Sequence, residues 1–176
     1  FLNVKQAHPD IATGLQEQLD RAMRHFSREG DLKWVSLLLW AGADPRSMGP
    51  NGMDEDDPEA HVTALQQATA FGHVEILKKF KLSRERDDLS RLLHEASFGQ
   101  SSDIIVYLLQ LGARPNDRAN GGSSSLSRCL HFMHFEGIGI PGIARSRTIY
   151  SVAESLRKVR ILAEHGAIWN PEAAMK

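Results

Sequence analysis

Apolar residues recur at helical spacing in short blocks along this chain, and several blocks end alike. The segments "WVSLLLWAGADP" (34–45), "IVYLLQLGARPN" (105–116) and "VRILAEHGAIWN" (159–170) share one ending. Leu32, Val35, Leu38 and Leu39 follow the three- and four-residue intervals that place side chains on one helix face. Leu156, Val159, Leu162 and Ala163 repeat that spacing in the last block. Trp34 takes a core position in its block. Gly42, Gly112 and Gly166 then stand where a helix C-terminus accepts a left-handed residue. A fourth segment, "GHVEILKKF" (72–80), has the same beginning without the Gly-Ala end.

A second helical pattern precedes each of these. "RAMRHFSREGD" (21–31), "TALQQATAFGH" (63–73), "RLLHEASFGQS" (91–101) and "SSLSRCLHF" (124–132) align without gaps. Met23, Leu65, Leu93 and Leu126 share the main apolar position, and Phe26, Ala68, Ala96 and Cys129 the position three residues later. The unit is therefore a pair of short helices, repeated four times.

The stretches "TALQQATAFGHVEIL" (63–77) and "REGDLKWVSLLLWAGADP" (28–45) carry a more specific likeness. They resemble the ankyrin repeat family, and the resemblance extends over about residues 15–170. It implies an all-α, ankyrin-like solenoid of about four helix-turn-helix repeats with two loop insertions. The repeats fall at about 15–44, 61–82, 88–116 and 122–170, behind an N-terminal cap segment at 1–14. The chain departs from the family pattern in its turns: only Thr63 keeps the motif's Thr, only His94 its His, and no repeat its Pro. For His94 the resemblance implies a structural task, tying neighbouring turns together by hydrogen bonds.

Insertions hide the period. Leu93 and Leu126 stand 33 residues apart, the family's period. Leu65 and Leu93 are only 28 apart, where the Gly-Ala finger is lost around Lys81, and Met23 and Leu65 are 42 apart. The first insertion runs through "PRSMGPNGMDEDDPEAHV" (45–62), and the second occupies residues 131–150. Doubling a loop costs only roughly 0.6 kcal/mol, so repeats tolerate such insertions.

Composition narrows the function. At 176 residues the chain fits one domain, with 41% hydrophobic and 24% charged residues. Lys plus Arg number 21 against 22 Asp plus Glu, which is not the basic footprint that nucleic acid requires. No apolar run approaches the ~20 residues of a membrane span, so neither nucleic acid nor membrane is an expected partner. The single cysteine, Cys129, rules out an internal disulfide and any CxxC motif, which fits a cytoplasmic setting. A start at Phe1 rather than Met is expected of a trimmed chain or of a piece of a longer one.

Each chemical motif gives way to a simpler reading. Gly137, Gly139 and Gly142 spell GxGxxG, yet no strand precedes them, and Pro141 removes a donor from the supposed phosphate cradle. The acidic run 53–60 lacks the alternating ligands of a calcium loop. His131 and His134 have no nearby third ligand for zinc. Cys129 occupies a small buried position and is read as inert, and Ser123 to Ser125 as a turn and helix N-cap. No catalytic set, metal or cofactor is expected.

In ankyrin-like stacks the concave face, made of hairpin tips and the open side of the first helices, does the binding. Carried over by position, it holds His25, Gln67, Glu95 and Arg128 in one row and Arg28, Ala70, Phe98 and His131 in the next. Phe71, Phe98 and Phe132 are its aromatic spots. Trp40 either packs on the N-terminal segment (Phe1, Leu2, Val4) or anchors a partner, with packing favoured. Arg145 and Arg147 extend the surface into the second insertion. The expected function is a non-enzymatic module, monomeric on its own, that binds one partner protein to neutralise it (as an immunity protein does) or to scaffold it. Two alternatives stand beside this: a ligand or enzyme site in the 131–150 insertion using His131, His134, Glu136, Arg145 and Arg147, and a regulatory domain of a longer protein.

Overall fold

A computed structural model describes residues 9–50, 61–117, 123–130 and 152–169, and within them the protein is all-α apart from one minimal β-ladder. The chain divides into two units, Phe1–Lys81 and Leu82–Lys176. The expected sites at His131, Phe132, Arg145 and Arg147, with His134 and Glu136, lie outside the described residues.

The first unit begins with α1 (Pro9–Glu29), followed by α2 (Leu32–Trp40), α3 (Ala64–Ala70) and α4 (Val74–Lys79). Helix α1 runs unbroken past residue 14. Strand β1 (Gly49–Pro50) pairs antiparallel with β2 (His61–Val62) and closes the base of the first insertion. Asp31 opens α2 by accepting a hydrogen bond from the Trp34 amide (3.0 Å). Thr63 opens α3 with a full capping box: its hydroxyl accepts from the Gln66 amide, and the Gln66 side chain accepts from the Thr63 amide. Helices α1 and α3 pack side by side, as do α2 and α4. Met23, Val35, Ala64, Ala68, Ile76 and Leu77 are wholly shielded between them.

The second unit contains α5 (Leu89–Ala96), α6 (Ser102–Gln110), a helical stretch at 125–130 and α7 (Val152–Glu164). Asp88 caps α5 through the Arg91 amide (2.9 Å), and the Ser124 hydroxyl accepts from the Ser127 amide at the start of 125–130. Helix α6 packs against α5 and α7, with Leu93, Ile104, Ile105, Leu108 and Leu162 fully buried.

Helices α2, α6 and α7 end in the same way, and α3 repeats the pattern at Gly72 and His73, whose amides donate to the Thr69 and Ala68 carbonyls. Ala43, Ala113 and Ala167 donate to the carbonyls of Leu38, Leu108 and Leu162, five residues back, at 2.9–3.0 Å. Gly42, Gly112 and Gly166 donate to Leu39, Leu109 and Ala163. This is the paired-bond helix stop that satisfies the last carbonyls, and it requires positive φ at the glycine, here 80° to 90°. At the end of α4 Lys81 takes the left-handed conformation itself (φ 51°), which explains how that block stops without a glycine.

The apolar stripe expected on the second helices is narrower than its spacing suggests. In α2 only Val35 and Leu38 are buried; Leu32 and Trp34 are exposed, and Leu39 is half-buried. Trp34 is therefore not a core residue: it sits one position off the buried stripe and stacks on Phe26 with ring centres 5.3 Å apart. Leu162 alone of its set is buried, since Leu156 and Ala163 face solvent.

Candidate functional site

The expected face is described within each unit separately. In the first, the Arg28 guanidinium lies over the Phe71 ring, 4.9 Å from its centre. Both residues sit at helix C-termini, Arg28 in the last turn of α1 and Phe71 capping α3. His73 holds the two ends together, its ring Nε2 donating to the Arg28 carbonyl at 2.8 Å. His25 packs edge-on against Phe26 (4.9 Å) and is half-buried. Gln67 does not join this surface. Five of the seven α3 residues are buried because that short helix is covered by α1 and α4, and Gln67 is one of them at 7% exposure. Trp40 is 78% exposed, so packing does not cover it.

In the second unit the same side-chain pairing is tighter. The Arg128 guanidinium lies 3.5 Å from the centre of the Phe98 ring, within the range of cation–π attraction. Its Nη1 donates to Nε2 of His94 at 3.3 Å, which requires His94 to be neutral, with the proton on Nδ1. Burial and the neighbouring Arg128 charge push the His94 pKa down to about 4, against a hydrogen bond to the Ser123 backbone. Burial also lowers Arg128 from its usual value, opposed by the Glu95 carboxylate beside it. Glu95 in turn meets Arg91 at 3.4 Å. Phe98, Glu95 and Arg128 thus share one half-buried patch, and His94 braces it from below.

A polar cluster that the repeat pattern did not reveal joins α7 to the segment between α5 and α6. Lys158 is 2% exposed, and its ammonium donates to the Gly99 carbonyl. Glu154 accepts from the Ser102 amide at 2.5 Å. Cys129 donates to the Ser97 carbonyl (3.6 Å), and burial raises its pKa, as expected of an inert thiol. Lys158 stands one position before Val159 of the supposed apolar stripe, so its burial had no signal in the spacing.

Two further surfaces belong to the first unit. Helix α2 exposes Trp34, Leu37 and Trp40 together, at 46%, 49% and 78%. Between α1 and the β1–β2 ladder lies a cleft of about 450 Å³ that contains Arg24. Among the described residues no group of three His, Cys, Asp or Glu side chains could hold a metal ion, and no helix is long and apolar enough to cross a membrane. No protein-family model matches the chain, and no curated protein is significantly similar to it.

Proposed function

We propose that this chain is an ankyrin-like helical-repeat module that binds a partner protein and performs no catalysis. The helix pairs and the repeated glycine stop support the repeat reading. One observation carries the binding reading: Phe98 and Arg128 form a braced, half-buried aromatic–guanidinium pair on a patch with Glu95. Aromatic and Arg side chains held in place by their neighbours are the groups that dominate protein interfaces, because little conformational freedom is lost when they bind. Arg28 over Phe71 offers the same chemistry in the first unit. Neutralisation or scaffolding of one partner is the specific form we favour, in a cytoplasmic setting.

Affinity capture tests this with the chain as bait beside a Phe98→Ala, Arg128→Ala variant of unchanged circular dichroism. The proposal expects one protein to be enriched by the native chain and lost from the variant. Equal recovery by both baits would remove the Phe98 patch from the binding surface.

A further inference from the structure

Among the described residues, Arg24 is a buried cation whose bonding is unfinished. The residue is 9% exposed, and only its Nη1 has a hydrogen-bond acceptor among the described residues, the Ser47 carbonyl at 3.3 Å. Its Nε is buried without a partner there. A guanidinium carries five N–H donors, and charged side chains are almost never buried unless paired. Asp20, one turn earlier on α1, attracts Arg24 electrostatically without a direct hydrogen bond to it, and its Oδ1 already accepts from the Asp44 amide (2.8 Å) and the Gln16 side chain (2.7 Å). Gly49 shows that the guanidinium is held in a built position: a Cβ there would stand 2.2 Å from Nη2, so the β1 backbone lies directly against the group.

This unfinished cation lines the cleft of about 450 Å³, which is within the ~300–1,000 Å³ typical of small-molecule sites. Arg21, Glu17 and Asp20, all on α1, line it with His61, and Met48, 57% exposed, supplies an apolar rim. Two arginines against two carboxylates leave no excess charge to hold a dianion such as phosphate. A single carboxylate matches the charge of Arg24 and accepts the charge-assisted hydrogen bonds that a guanidinium favours. We infer that this cleft binds a monocarboxylate, with Arg24 as its anchor and Met48 against the ligand's apolar part. The group can come from a small metabolite or from an Asp or Glu side chain of a protein.

Thermal unfolding of the whole chain tests this with butyrate, N-acetyl-glutamate-containing peptide and inorganic phosphate, each at 10 mM against matched sodium chloride. The expected result is a rise in Tm of about 3 °C with a carboxylate, which corresponds to a Kd near 1 mM, and a smaller rise with phosphate. A response to butyrate identifies the small-molecule source, and a response to the peptide alone identifies the protein side chain. Arg24→Met removes the response, and so does Met48→Glu, a change at the exposed rim that keeps the fold should the first variant not survive. No response to either carboxylate, or one that persists in Met48→Glu, overturns the proposal. A further variant neutralises the chain's own acids (Asp54→Asn, Glu55→Gln, Asp56→Asn, Asp57→Asn, Glu59→Gln). A response confined to that variant means these acids already serve Arg24, and it also overturns the proposal.

Discussion

The His94 ring accepts a hydrogen bond from Arg128 at 3.3 Å, so a neutral histidine supports the cation that covers Phe98. The pair has a direct consequence for stability. His94 titrates near 4 when folded and near 6.5 when unfolded. Between those values the unfolded chain binds more protons, so acid favours unfolding. Stability is fully present above about pH 6.5, falls as the pH drops toward 4, and levels off below that. The loss should be about 2 kcal/mol, less than the full linkage because Arg128 is half-exposed and solvent screens part of the effect. Urea midpoints between pH 4 and 7.5 measure it, and His94→Asn should flatten the profile.

Gly30 and Gly42 both hold positive φ, at 79° and 90°, but in different surroundings. A Cβ on Gly42 meets nothing within 4 Å, whereas one on Gly30 would stand 2.5–2.9 Å from the His73 ring. Gly42→Ala therefore costs only the left-handed backbone penalty, about 1–2 kcal/mol. Gly30→Ala should cost about 1 kcal/mol more, because it also displaces His73 from the Arg28 carbonyl. Equal losses in denaturant would show that the His73 link contributes nothing.

Leu93 has no exposed surface at the centre of α5. Leu93→Ala should lower stability by about 2–5 kcal/mol through the cavity it leaves. Guanidinium unfolding with an unchanged slope would confirm that the loss lies in the folded packing.

The two α2 tryptophans should respond differently. Trp40→Ala, at a site 78% exposed, should change stability by less than about 0.5 kcal/mol. Trp34→Ala should cost about 1 kcal/mol, because it removes the stack on Phe26. Comparing their melting temperatures separates a surface anchor from a packed one.

The helices and their ends were legible because local chemistry sets them. Asp31, Thr63 and Ser124 cap as their residue types suggest, and Gly42, Gly112 and Gly166 stop helices with one repeated bond pattern. Which side of each helix is buried was less legible. Apolar spacing marks Trp34 and Leu156 as core, but burial depends on what packs beside a helix: Trp34 stacks on Phe26 yet stays 46% exposed, and Leu156 is 53% exposed. Gln67 failed in the opposite direction: a polar residue on a short helix is enclosed by α1 and α4. Arg24 and Lys158 gave no signal at all, because a buried charge is defined by distant contacts with Ser47, Gly49 and Gly99 and not by its own surroundings in sequence.

The central claim is that Phe98 and Arg128 anchor a partner protein. Calorimetric titration of the captured partner against the native chain and the Phe98→Ala, Arg128→Ala variant tests it most directly. Loss of two such anchors should weaken binding by at least about 30-fold, equivalent to roughly 2 kcal/mol. A dissociation constant unchanged within about twofold, in a variant that melts as one cooperative unit, would contradict it.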